Sequence, residues 1–311
     1  MKHNTIGLYS IMTFNMMIWG LNAVALKILV THFPAVTMQG VRIFLAGLVL
    51  LLYIVIKRTW KPLTKRDWGW TIGIILTGVV GHHLFLAWGL TITTASNAAL
   101  ILSLVPLMTA FLSFLFLREH ITPARMGGIL LGLIGVILVV LRGGTGLSTS
   151  MWGDLLIGGA MIFQACSFIL IKKATDTIDA KQLTTIMFLA GATLIFLIGL
   201  FISPDGVSIM LEGPLWVWAV LIVSGVVATA WGHAMYNATI HQLGPGQTAV
   251  FINLTPFFAL VGSALFLGEA IQWVQIAGFA LIIVGVFLGT GAWGEGERMK
   301  ARTVHRETGI H

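Results

Sequence analysis

Ten apolar runs, each close to the length that crosses a lipid bilayer, follow one another along this chain of 311 residues. They occupy residues 7–30, 35–56, 69–90, 95–117, 124–142, 152–171, 182–202, 214–238, 246–267 and 272–293. A helix of about 20 apolar residues spans the hydrocarbon layer. Lipid offers no hydrogen bonds, so each run must satisfy its own backbone; helices do so, and the period-2 alternation of barrel strands is absent from the sequence. Charged residues make up only 9% of the chain, whereas a soluble domain carries about 25%. The expected fold is an all-α integral membrane protein, with the lipid bilayer as its first partner.

Charge placement sets the expected orientation. The net charge of +7 is spread over short loops between the runs, which fits membrane orientation and not a phosphate-binding face, so no nucleic-acid partner is expected. With alternate loops on alternate faces, fifteen of the 18 lysines and arginines fall on one side. Arg142 alone falls on the other, and Lys27 and Arg42 lie within runs. This bias predicts a multi-pass protein of the inner or plasma membrane with both termini cytoplasmic. MKHNTIG leads directly into the first run, and no cleavable signal is expected. The single cysteine, Cys166, leaves no disulfide framework and no cysteine metal site, and no cofactor or metal is expected. None of the eleven acids lies mid-run, which disfavours a cation pump with a central carboxylate; neutral, zwitterionic or anionic substrates fit better.

One stretch occurs twice. NAALILSLVPLMTAFLSFLFLRE (Asn97–Glu119) and QTAVFINLTPFFALVGSALFLGE (Gln247–Glu269) each place a proline, Pro106 or Pro256, thirteen residues before a glutamate, at an offset of 150 residues. Gly128 and Gly135 recur at the same offset as Gly278 and Gly285. Ten runs in two copies give five per copy, and an odd number makes the second copy enter from the opposite face. The expected organisation is two inverted five-helix repeats, 7–142 and 152–293, with a linker at 143–151 and a cytoplasmic tail at 294–311. Such repeats are typical of transporters, whose sites lie near the midplane where the repeats meet. The glycine-rich fifth and tenth runs form a rim that could hold the halves together or form a dimer face, so monomer and homodimer both fit.

Polar residues inside the runs mark the expected site. Asn15, Trp19 and Asn22 share one face of the first run, and a shift of 145 brings Trp19 onto Gln164 and Asn22 onto Ser167 in the sixth. The third run carries His82, His83 and Phe85; in the eighth, Thr229, His233 and Tyr236 share a face. Asn97 opens the fourth run, and Asn253 lies just before Pro256. The expected substrate-binding set is Asn15, Trp19, Asn22, His82, Phe85, Asn97, Gln164, Ser167, Thr229, His233, Tyr236 and Asn253. The plainer reading is hydrogen-bonding glue between helices, worth about 0.6–2 kcal/mol each. Histidine titrates near neutral pH, so His82 and His233 are candidate proton carriers, with a bond to a backbone carbonyl as the alternative. Pro106 and Pro256 are candidate hinges, with a static kink as the alternative. Lys27 and Arg42 are expected to snorkel to the interface, and binding an anionic substrate group is the sharper alternative. Glu119 and Glu269 read as helix-end pairing partners or gates.

These motifs resemble a known family. WGLNAVALK (Trp19–Lys27), VRIF after the second loop, the repeated Asn/Gln–proline–glutamate pattern and the glycine-rich run after each glutamate are similar to the EamA family of the drug/metabolite transporter superfamily. The resemblance covers roughly residues 8–293. It implies ten helices in two inverted repeats and a central cavity lined by the first, third and fourth helices of each. It also implies a secondary transporter working by alternating access, an exporter of amino acids or related small metabolites and not an enzyme. The alternatives are a non-transporting membrane scaffold or receptor, and an intramembrane lipid-modifying enzyme. The enzyme would need clustered carboxylates or an activated nucleophile, and no HExxH or DxxD pattern occurs.

Overall fold

The computed structural model describes residues 5–117, 123–140, 149–233, 235–236, 251–252 and 254–290. Helices α1 (Thr5–His32) and α2 (Ala35–Lys57) come first. The next span is composite: α3 (Lys65–Ile74) runs through a π-helical stretch, Ile75–Gly81, into α4 (His82–Ile92). Helices α5 (Ala95–Leu102) and α6 (Val105–Leu117) form a broken span, followed by α7 (Pro123–Val140). The second half begins with α8 (Thr149–Ala174) and α9 (Ala180–Ile202). A short α10 (Gly206–Leu211), in a segment read from the sequence as a plain connection, leads to α11 (Leu215–Val223), which continues into a second π-helical stretch, Ser224–Trp231. Helices α12 (Thr255–Leu267) and α13 (Trp273–Thr290) complete the described residues, among which there is no strand.

Six helical stretches are long and apolar enough to cross a membrane: Gly7–His32, Ala35–Lys57, Lys65–Ile92, Ala95–Phe116, Met151–Ala174 and Ala180–Ile202. Four shorter apolar helices accompany them, at Met126–Leu138, Leu215–Trp231, Thr255–Leu267 and Trp273–Val286. Side chains sort as lipid requires. Phe201 (89%), Leu265 (74%) and Phe116 (67%) are exposed, while Asn15, Gln39 and Asn97 are fully buried. In water that distribution would be unstable; in hydrocarbon the apolar exterior is the solvated one.

Local chemistry ends the helices where the loops begin. Thr64 and Asp67 form a reciprocal capping box at the start of α3, and Thr177 donates to the same carboxylate at 2.6 Å, tying two loops together. Asp179 caps α9 by accepting from Lys181 N and Gln182 N. Gly268 ends α12 at φ 65°, a left-handed conformation that glycine adopts without strain.

Helices pair closely where glycines remove side chains from the contact. α7 lies along α13 and α2 along α9. A Cβ on Gly285 would fall 2.6 Å from the Gly128 carbonyl oxygen, and one on Gly135 would fall 2.8 Å from that of Gly278. Backbone contact of this kind gains dispersion and excludes lipid between the helices. Gly285→Ala is therefore expected to destabilise the α7–α13 pair by about 1–3 kcal/mol. Gly127→Ala, where a Cβ meets nothing within 4 Å, is expected to be neutral or slightly stabilising. Melting of the two detergent-solubilised variants against wild type checks this; equal melting curves would contradict the contact.

Candidate substrate-binding site

The polar face of α1 docks on the second π-helical stretch. Asn15 Nδ2 donates to the Gly232 carbonyl at 3.1 Å, Trp19 Nε1 to that of Ala228 at 2.9 Å, and Asn22 Oδ1 accepts from Ser224 Oγ at 2.5 Å. The i, i+4, i+7 spacing of the three α1 residues thus maps onto successive turns of its neighbour. π-helical turns occur frequently at functional sites. Here the stretch presents the carbonyls of Ala228 and Thr229 to side chains, the latter to His233 Nδ1 at 2.7 Å. Since a carbonyl only accepts, Nδ1 of His233 carries the proton and Nε2 is the nitrogen left to titrate. Gly232 is required by this approach: a Cβ there would lie 2.6 Å from Trp19 Nε1.

Four aromatic rings gather at that contact. The Trp19 ring centroid lies 5.2 Å from that of His233 and 5.3 Å from that of Tyr236, and Phe188 of α9 meets His233 edge-on at 6.0 Å. Beside them, between α1 and α11, is a cleft of about 420 Å³. Ile18, Ala25, Ile28, Val220, Val223 and Val227 make most of its wall apolar, and Asn22 and Ser224 form its polar part. The size falls within the range of small-molecule sites, about 300–1,000 Å³.

Arg42 stands behind Ser224, contrary to the expectation that it snorkels. It is 2% exposed. Its guanidinium donates to Gln39 Oε1 at 2.8 Å, Thr229 Oγ1 at 2.9 Å and Ser224 Oγ at 3.4 Å. Helix α2 lies between α9 and the π-helical stretch, so the side chain has neutral oxygens within reach and no path to an interface. Lys27 is half-buried. Its Nζ donates to the carbonyls of Leu90 and Thr93, each at 2.6 Å, where a cation meets the negative end of α4. Sequence reasoning missed Gln39 and Ser224. The available signal was Gln39 and Arg42 three residues apart on one helix face within an apolar run.

The equivalent stripe on α8 is placed differently. Gln164 Nε2 donates to Ser167 Oγ at 3.2 Å and Ser167 Oγ to the Gln164 carbonyl at 2.8 Å, so the two satisfy each other. Ser167 is fully buried against Gly78. Phe85 stacks on Phe163 at 5.2 Å and lies over Gly159, while His82 Nδ1 donates to the Ala160 carbonyl at 2.9 Å. Glycines therefore let α4 and α8 close into a packed seam, while a cleft remains between α1 and α11. Phe85, His82 and Ser167 lie in that seam, Gln164 bonds within α8, and none of the four lines the cleft.

Asn97 belongs to a third group. Its Nδ2 donates to both Asp154 oxygens, at 3.1 and 3.0 Å, and its Oδ1 accepts from Gln275 Nε2 at 2.8 Å, joining α5, α8 and α13. Thr93 Oγ1 donates to the same Asp154 carboxylate. Alongside, Glu269 accepts from Ala95 N at 2.9 Å, Ser96 N at 3.2 Å and Ser96 Oγ at 2.7 Å. A carboxylate from the second copy of the doubled stretch thus caps the helix that opens the first. The prolines sit at helix starts: Pro106 is the second residue of α6, after a break at Ser103–Leu104, and Pro256 is the second of α12. Asn253, Glu119 and Gln247 lie outside the described residues.

Comparison with known proteins fits this arrangement. The model of the EamA-like transporter family matches twice, over residues 7–141 and 151–290. The uncharacterized transporter YetK of Bacillus subtilis (strain 168) is 26% identical over 289 residues, covering 91% of this chain and 86% of that protein. A probable amino-acid metabolite efflux pump of Salmonella typhimurium (strain LT2) is 25% identical over 283 residues, covering 87% and 90%. A solved crystal structure superposes with a TM-score of 0.62 at 18% identity, covering 90% of this chain and 95% of the other, a likeness of fold.

The Glu269 cap generates a direct test. Glu269→Gln removes the charge that favours the positive end of α5 and is expected to lower stability by about 1–2 kcal/mol. Glu269→Asp, which keeps the charge on a shorter stem, should lose less. Melting of both in detergent measures the difference, and identical melting to wild type would show that the cap contributes nothing.

Proposed function

Because the chain belongs to the EamA-like transporter family, we propose that it is a secondary transporter that exports amino acids or related neutral or zwitterionic metabolites across the cell membrane by alternating access. The observation that carries this reading is the contrast between the two polar stripes. One reaches a cleft through Asn22, one turn from the Trp19, His233 and Tyr236 rings; the other lies in a seam closed by Phe85, Phe163 and their glycines. Alternating access by inverted repeats needs such inequality, since each half takes in turn the conformation of the other. The pairing of α2 with α9, and of α7 with α13, supports the inverted-repeat organisation of 7–142 and 152–293, because equivalent helices meet at a two-fold axis. The lysine and arginine bias supports ten spans with both termini cytoplasmic, and in that reading the Asn97–Asp154–Gln275 group lies toward the outer face. In this frame the outer entrance is shut by hydrogen bonds, and the breaks before Pro106 and Pro256 are where the broken helices bend.

The test is counterflow of radiolabelled amino acids in proteoliposomes. Trp19→Ala and His233→Ala are each expected to cut the initial rate at least about tenfold, equivalent to ~1.4 kcal/mol, with membrane insertion unchanged. Full activity in both would remove this site. His233 makes proton coupling the second measurement: an imposed pH gradient should change the rate, and insensitivity rejects the coupling.

A further inference from the structure

Arg42 carries a full charge at depth and has only neutral partners. A guanidinium has five N–H donors. Nε and Nη1 serve Gln39, Thr229 and Ser224, all uncharged acceptors. Among the described residues no carboxylate pairs with it, and Nη2 makes no hydrogen bond to any of them. The orientation of Gln39 is determined by this contact. Arg42 Nε can only donate, so the amide oxygen must face it, which leaves the amide nitrogen turned elsewhere. That nitrogen, Gln39 Nε2, is buried without a partner. Two side chains on one turn of α2, 0% and 2% exposed, thus hold N–H groups that meet no acceptor among the described residues.

Among the described residues His82, His83 and His233 are the titratable groups within electrostatic reach of Arg42, and none of them brings it a negative charge. Buried donors beside an uncompensated cation are complementary to a planar anion with two oxygens, which a guanidinium receives as a fork. Ser224 links the group to the cleft, since it both accepts from Arg42 and lines the cleft wall with Asn22.

We propose that Arg42 and Gln39 form an anion-binding subsite that receives the carboxylate of the transported solute. The proposal rests on the transporter reading and narrows it. The solute carries a carboxylate, and its hydrocarbon part faces the apolar wall of Ile18, Val220, Val223 and Val227. Simple amines and uncharged analogues lack the group that Arg42 and Gln39 recognise. The plain alternative is an arginine that cross-links α2 to the π-helical stretch through neutral oxygens, and such a cross-link would not distinguish an acid from its amide.

Melting of the purified full-length chain in detergent separates the two. Sodium benzoate is expected to raise the melting temperature of wild type above that in equimolar sodium chloride, and the neutral isostere benzamide is not. Arg42→Gln should abolish the benzoate response. Gln39→Glu supplies Arg42 with a carboxylate of nearly the same shape, so it should fold at least as stably as wild type yet also lose the response; it decides the matter where Arg42→Gln fails to fold. A benzoate shift that persists in Gln39→Glu, or an equal effect of benzoate and benzamide on wild type, overturns the subsite. In proteoliposomes, counterflow of L-phenylalanine should fall at least about tenfold in Arg42→Gln. No counterflow in wild type with the benzoate response intact rejects amino-acid transport and leaves the subsite standing.

Discussion

A helix end leaves N–H and C=O groups without partners in the helix, and here the missing partners come from distant helices. Glu269 reaches from the end of α12 to the first turn of α5, and Lys27 reaches from α1 to the last carbonyls of α4. Both contacts place charge where the helix dipole favours it. They also link segments far apart in the chain, so satisfying the helix ends and assembling the bundle are one event. The broken helices and π-helical stretches near the site are tolerated for the same reason: side chains such as Trp19, Asn15 and His233 take up the carbonyls they present.

The halves of the molecule use one plan with different fillings. Where α4 meets α8, Gly78, Gly81 and Gly159 admit Ser167, Phe163 and Phe85, and the seam closes. Where α1 meets α11 a cleft remains, and beyond it Trp19 stands against Gly232 with the Tyr236 and His233 rings beside it. Small residues allow backbones to approach, while large rings set a minimum separation. The same balance positions Arg42: α2 is drawn tightly against α9 by Gly40 and Gly199, which carries the guanidinium into the interior.

Much of the architecture was legible in the sequence because hydrocarbon imposes so strict a filter. Runs of apolar residues locate the helices, and Asn15, Trp19 and Asn22 were legible as one face because the helical period is fixed. The doubled stretch located Pro106 and Pro256, both of which stand at helix starts. The interior was less legible. Arg42 looks like an interfacial residue when only its distance from a helix end is known, since depth depends on which neighbours cover it. Phe85 and Trp19 are both aromatic residues in apolar runs; glycines on the facing helix put Phe85 into a seam, and nothing local to Phe85 carries that information.

By itself, the sequence determined the solvent, the helical class and the duplication, because the hydrogen-bonding poverty of lipid leaves a chain this apolar no other way to satisfy its backbone. Tertiary structure alone decided which polar residues meet. Asn97 was directed to Asp154 and Gln275, Trp19 to Ala228 and His233, and Arg42 to Gln39, Ser224 and Thr229. Those pairings join residues up to 214 positions apart, as Trp19 and His233 are. They depend on how closely particular helices approach, which is set jointly by both faces of each contact and written in neither one alone.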